Sequence, residues 1–270
     1  MGFQLEKLYA DLITPDGTVC VAYVAWLRAY GTRSAHAGLE LYWPDGSREV
    51  VHARPDPQRT HTAGEFELSF DVPGGPFVLT YRVLHGAWTP EGDSPCDGLR
   101  WCVKAARAEA VGRWMNDPAR PELRGVGYSD WVEIERPTRG LGLDMLQWGR
   151  VHLPDATLVW TAVDFRSGPA WHRAAQWSDS GTAAWDTFGI HAAQAKMTVT
   201  LPGHPDLLCI TPARALHAGD AIDRARFPSL LERTISRAAT GPVTERRSLG
   251  RVGSSWALHE AVRFGPRAAR

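Results

Sequence analysis

The tripeptide Pro-Asp-Gly occurs at 15–17 and again at 44–46, each time between short runs of alternating apolar residues, and few folds accept that arrangement. Proline presets the first corner of a turn and glycine accepts positive φ, so each tripeptide reads as a hairpin turn. The flanking runs Leu8–Leu12, Thr18–Trp26 and Gly38–Trp43 then read as antiparallel strands. The pattern resumes at Glu65–Phe70 and, after a Gly-Gly-Pro break, at Phe77–Leu84; alternation of this kind marks strands with one wet face.

Helical periodicity is scarce. Arg100–Met115 fits a helix or two strands, and the spacing of Trp101, Val103, Val111 and Trp114 favours strands. Later strand-length runs are Gly125–Glu135, Met145–Leu153, Leu158–Phe165, Lys196–Leu201 and Ser255–Phe264, separated by Gly and Pro clusters. The expected class is all-β, a barrel or sandwich of antiparallel strands or two of them in tandem. Asn116-Asp117-Pro118-Ala119-Arg120-Pro121, polar and twice interrupted by proline, is the expected internal boundary, dividing the chain into 1–117 and 118–270. Pro228–Ser236 is the expected helix, and the Arg-rich end past Ala261 is expected to fray.

Charge and motif content narrow the function. The 30 basic and 30 acidic side chains cancel, which argues against nucleic acid as a partner, because phosphate neutralisation needs an excess of Lys and Arg. The longest uncharged apolar stretch, Gly17–Leu27, is far shorter than the roughly 20 residues of a spanning helix, so no integral membrane segment is expected. Met1–Lys7 lacks a basic and then apolar leader, which predicts a cytoplasmic location. Cys20, Cys96, Cys102 and Cys209 form no CxxC pair and read as reduced thiols. Phosphate-loop, dinucleotide, nucleophile-elbow and HExxH motifs are all missing, so no cofactor and no metal is expected and chemistry must come from side chains and cavity shape. Twelve tryptophans allow an aromatic-lined cavity for a hydrophobic small molecule.

The densest candidate segment is Gly125-Val126-Gly127-Tyr128-Ser129-Asp130-Trp131, followed by Trp148-Gly149-Arg150. On a strand Tyr128 and Asp130 share a face. In an apolar cavity desolvation favours the protonated carboxyl, and a neighbouring phenol can orient it or relay its proton, so Asp130 with Tyr128 reads as a proton donor. The competing reading makes Asp130 a turn cap and Tyr128 a core aromatic. Arg150 either stacks on an indole and pairs with a buried acid or lies at the surface beside a core Trp148. His259 and Glu260 point to opposite faces of a strand, so only one of them enters a cavity; Glu260 is the secondary candidate.

The Gly-x-Gly-Tyr-x-Asp segment upstream of Trp-Gly-Arg resembles the lipocalin-like proteins that include carotenoid 1,2-hydratases and AttH-type proteins. The opening Leu5–Leu12 with Asp16–Val19, and the closing Trp256–Val262, are similar to small bacterial members. The resemblance implies two tandem calycin-like β-barrels or half-barrels, with the ligand cavity inside or between them and no redox cofactor. It carries the hydratases' Tyr-x-Asp acid pair onto Tyr128 and Asp130. Where those hydratases use His-x-Trp this chain has Leu99-Arg100-Trp101, so Trp101 matches and the histidine does not.

Three readings follow. In the first, a cofactor-independent hydratase or cyclase of an isoprenoid or polyene, Asp130 protonates an alkene and the faces of Trp101, Trp148 and Trp160 stabilise the cation. In the second, a pericyclase, cavity shape templates the cyclisation of a polyketide or polyene. In the third the chain carries a hydrophobic ligand without changing it.

Overall fold

A computed structural model describes residues 2–54, 57–62, 64–90, 96–193, 196–203, 208–220, 233–234, 237–238 and 240–265. The first half of the chain forms β1 (Gln4–Ile13), β2 (Val19–Ala29), β3 (Thr32–Tyr42), β4 (Arg48–Ala53), β5 (Gln58–Thr62), β6 (Glu65–Val72), β7 (Gly75–His85), β8 (Leu99–Trp114) and β9 (Leu123–Ile134). The second half forms β10 (Leu143–His152), β11 (Ala156–Phe165), β12 (Trp171–Ser178), β13 (Gly181–Trp185), β14 (Gly189–Ala193), β15 (Lys196–Thr200), β16 (Leu208–Asp220), β17 (Val243–Val252) and β18 (Ser255–Phe264). A single turn of 3₁₀ helix, Thr138–Leu141, stands between the halves.

Each half is one nine-stranded antiparallel sheet wound in the same order. The first runs β4-β3-β2-β1-β9-β8-β7-β6-β5 and the second β13-β12-β11-β10-β18-β17-β16-β15-β14. In both, the first and last strands of the half pair at the centre, and the chain passes from one edge to the other midway. That passage forces the sheet to curl. Eight strand gaps of about 4.8 Å would put the edges of a flat sheet about 38 Å apart. Only four residues separate β4 from β5, and three separate β13 from β14, spans of less than about 20 Å even when extended. The edges of the first sheet accordingly approach, and the Arg54 amide donates to the Asp71 carbonyl at 2.9 Å. Each half is therefore a curled half-barrel, as expected from tandem calycin-like domains.

The inside of the first curl is packed by alternate residues, among them Leu8, Ala10 and Leu12 of β1, Leu39 and Leu41 of β3, Phe66 and Phe70 of β6, and Leu79 and Tyr81 of β7. Phe66 and Tyr81 stack at 4.5 Å. The second curl is filled by Val151, Leu158, Trp160, Phe188, Met197, Val199 and Ile210. Both Pro-Asp-Gly segments form the same turn: Gly17 and Gly46 have φ of 89°, and their amides donate to the carbonyls of Thr14 and Trp43 at 3.0 Å.

Two expectations need correction. Residues 116–121 are the turn between β8 and β9 inside the first sheet; because β9 pairs with β1, the first unit runs on through Arg136 and the second starts at Pro137. Arg100–Met115 is strand, but nearly all of it belongs to the single sixteen-residue β8, bent by register shifts between Val103 and Ala105 and between Ala105 and Ala108. Most of the expected helix at Pro228–Ser236 lies outside the described residues, which there comprise only Arg233 and Thr234, both helical. At the end of the chain β18 stays ordered as a strand to Phe264, and 266–270 also lie outside the described residues.

Candidate active site

The first sheet has a second buried face, which sets polar side chains among apolar ones such as Ile13, Val19, Val21 and Val103. Because β1 alternates, placing Leu8, Ala10 and Leu12 inside the curl turns Tyr9 and Asp11 to the other side. The register of β1 on β9 sets Tyr9 opposite Asp130 and Asp11 opposite Tyr128, so two tyrosines and two aspartates form a block on one face. All four are buried, Asp11 completely and Asp130 at 3% exposure. The rings of Tyr9 and Tyr128 lie 6.3 Å apart. Ser129 points the other way, and its hydroxyl donates to the Tyr9 carbonyl at 2.8 Å, tying the two strands.

Two donors converge on one oxygen of Asp130. The Tyr128 hydroxyl donates to Oδ2 at 2.9 Å and the Trp101 indole Nε1 at 3.1 Å. Trp101 reaches it diagonally: on β8 it pairs with Val132, while Val103 pairs with Asp130. A loop residue holds the indole in place. Trp88 bridges Val103 through reciprocal backbone hydrogen bonds of 2.8 and 3.1 Å, and its ring meets that of Trp101 edge-on at 5.6 Å.

The glycines of the Gly-x-Gly-Tyr-x-Asp segment make close packing possible. A Cβ on Gly125 would stand 2.0 Å from the Ile13 carbonyl oxygen, and one on Gly127 would stand 2.4 Å from the Tyr81 ring and 2.9 Å from the Asp11 carbonyl oxygen. That same Asp11 carbonyl accepts from the Tyr81 hydroxyl at 2.9 Å. Gly149 has the matching task in the second unit, where its missing Cβ leaves room for Trp160 at 2.3 Å.

Tyr128, Asp130 and Trp101 thus meet in one hydrogen-bonded group, whereas Trp101 offers Asp130 its N–H edge and not its ring face. The remaining sequence candidates belong to the second sheet. Trp148 stands opposite Glu260 on the face away from that unit's core, and Arg150, fully buried, is its neighbour on the same face. Glu260 accepts from Arg247 Nε at 2.8 Å, and Arg247 Nη2 reaches Glu245 at 2.9 Å. All three of these charges are at most 2% exposed. Trp160 pairs with Gly149, so it points to the opposite face from Trp148 and Arg150 and lies in the core of the second curl. Tyr9, Asp11, Trp88 and Arg247 had not been singled out. Asp11 carried a visible signal, a carboxyl in the middle of the apolar run Leu8–Leu12.

Among the described residues no three His, Cys, Asp or Glu side chains converge as a metal site, and no helix is long and apolar enough to cross a membrane.

Two identically wound, curled antiparallel sheets give the chain a lipocalin-like fold of two units. No family model and no curated protein matches the chain, but solved structures do. CghA, solved also with Sch210972, matches with a TM-score of 0.63 and 16% identity over 99% of this chain and 90% of that one. An AttH-like protein, NE1406, from Nitrosomonas europaea matches at 0.55 and 12% over 97% and 92%. Kievitone hydratase from Nectria haematococca matches at 0.54 and 9% over 97% and 89%. At these identities the likeness is one of fold.

Proposed function

We propose that the chain is a cofactor-independent, acid-catalysed hydratase or cyclase of a hydrophobic isoprenoid or polyene, with Asp130 as the acid and Tyr128 and Trp101 as its positioning residues. The observation that carries this reading is the convergence of the Tyr128 and Trp101 donors on Oδ2 of a carboxyl that is 3% exposed. A neutral carboxyl accepts at its carbonyl oxygen and donates from its hydroxyl. In the protonated form that this reading requires, Oδ2 is the carbonyl that accepts from Tyr128 and Trp101, and Oδ1 holds the proton. Burial makes the charged form costly while the two donors at Oδ2 favour it, and the acid role requires that burial prevail.

The step is balanced without a co-reactant beyond water. The Oδ1 proton passes to an alkene carbon, leaving a carbocation and the Asp130 carboxylate. Water then adds to the cation and its extra proton returns to the carboxylate, which is hydration. If a second alkene of the same substrate adds instead, loss of a proton to the carboxylate completes a cyclisation. A hydratase among the proteins of the same fold supports the reading.

The test is organic extraction and mass spectrometry of the protein purified from its own host, followed by incubation of the extracted compound with fresh protein. A gain of one water indicates hydration, and a retention shift at constant mass indicates cyclisation; either must be lost in Asp130→Asn. Cyclisation that survives Asp130→Asn would point to shape-templated pericyclic chemistry. A compound returned unchanged by wild type and variant alike would point to a carrier.

A further inference from the structure

On the face of the first sheet that carries Asp130, burial ends along one line. The row through Val103, Asp130, Tyr9 and Tyr23 is buried on all four strands, and on its far side Tyr128, Asp11 and Val21 are buried too. On its near side the row through Trp101, Val132, Lys7 and Ala25 is half-buried throughout. A substrate therefore reaches Asp130 most directly across this second row, where Lys7 is the one charged side chain.

Lys7 stands there without an ion pair. Among the described residues it forms no hydrogen bond and no salt bridge, and its ammonium lies 5.8 Å from the centre of the Tyr9 ring. Glu6 and Glu133 are close in the sheet, but alternation puts them on the opposite face, where both accept from the Gln4 amide, at 2.8 and 3.1 Å. The diagonal neighbour of Lys7 on its own face is Asp130, whose Oδ2 accepts from Tyr128 and Trp101 and which is neutral when it holds its proton.

Diagonal neighbours across an antiparallel pair stand about 7–8 Å apart, a distance that a small substrate spans. The ammonium is a compact single charge, and among the described residues no other Lys or Arg shares this face of β1, or of β9 from Tyr128 to Ile134. One such cation suits a singly charged oxyanion and not a diphosphate, whose multiple charges call for several. A carboxylate is ionised at neutral pH and meets that need. The ammonium also favours the charged form of Asp130, and an anionic group seated on Lys7 offsets that bias as the substrate arrives.

We infer that the substrate of the Asp130 site is an isoprenoid or polyene bearing a single carboxylate, and that Lys7 binds this carboxylate at the entrance and so positions the alkene at Asp130. The inference rests on the acid reading of Asp130 and adds the polar end of the substrate to it.

Isothermal titration calorimetry of the full chain with geranate, and with the nearly isosteric uncharged geranamide, tests it. Geranate is expected to bind at least about tenfold more tightly than the amide, with affinity falling as salt rises. Lys7→Met, at a half-buried position that makes no hydrogen bond, is expected to abolish that preference. Lys7→Arg keeps the charge and is expected to retain most of it, a rescue that a packing role would not give. Asp130→Asn is expected to keep the preference, so its turnover reports on the acid role while the two Lys7 variants report on the anion site. Absence of saturable geranate binding, equal affinity for acid and amide, a Lys7→Met protein that keeps the preference, a Lys7→Arg protein that loses it, or its loss in Asp130→Asn would each overturn the assignment.

Discussion

Asp11 stands directly opposite Tyr128 across the β1 and β9 pair, and the same register sets Tyr9 against Asp130. This buried cluster of two tyrosines and two aspartates is thus built across two strands that are far apart in sequence and adjacent in the sheet. Its geometry depends on their pairing as much as on the Tyr-x-Asp spacing.

Asp130→Asn keeps a carbonyl oxygen to accept from Tyr128 and Trp101 but cannot donate a proton. Turnover on the extracted substrate is expected to fall by about 100-fold or more, with the far-ultraviolet circular dichroism spectrum unchanged. Tyr128→Phe leaves Trp101 as the remaining donor seen at Oδ2 and is expected to lower the rate by a smaller factor. Near-normal turnover in Asp130→Asn would remove the proposal.

Gly127→Ala tests the packing behind Asp130. Its new methyl would meet the Tyr81 ring, the Ala110 methyl at 2.7 Å and the Asp11 carbonyl oxygen. Two of these belong to well-packed strands and one is backbone, so the sheet must shift. A loss of about 1–3 kcal/mol in urea unfolding is expected, and activity should fall with it, because the displaced strand carries Asp11 and faces Tyr128.

Much of this was legible beforehand, and the misses have a common physical origin. Alternation and the Pro-Asp-Gly turns revealed the strands and the shared face of Tyr128 and Asp130, since both are local. The boundary was misplaced because a proline-rich hairpin turn and a linker have the same local chemistry; only the pairing of β9 with β1, set more than a hundred residues away, separates them. The face of Trp160 was not legible for the same reason, being fixed by pairing with Gly149 on a neighbouring strand. The Arg247 partner of Glu260 follows by counting outward from the Gly253-Ser254 turn, once Val252 and Ser255 are known to close that hairpin.

Arg247 sits between two buried carboxylates, and removing it leaves both without its charge. Arg247→Met is expected to destabilise the protein by about 3–5 kcal/mol, read as a shift in the urea midpoint. Combining it with Glu245→Gln and Glu260→Gln should recover a large part of that loss, since the cost comes from two buried carboxylate charges that have lost Arg247 and not from the missing contact area. Failure of the triple variant to recover would assign the group a packing role instead.

His259 gives the second unit a dependence on pH. Burial holds its imidazole pKa down at about 4 against 6.5 for the free side chain, and the negative charge of Glu260 offsets this only in part. No hydrogen-bond partner for its Nε2 is present among the described residues. Between these two pKa values the unfolded chain binds a proton that the folded one excludes, so stability rises with pH across that window. The contribution is full above pH 6.5 and is lost progressively as pH falls toward 4, amounting to at most about 3 kcal/mol. Urea midpoints at pH 7.5, 5.5 and 4.5 should therefore fall more steeply for wild type than for His259→Gln, whose side chain has no proton to gain. Parallel pH profiles for the two proteins would show that the imidazole is not held neutral by the fold.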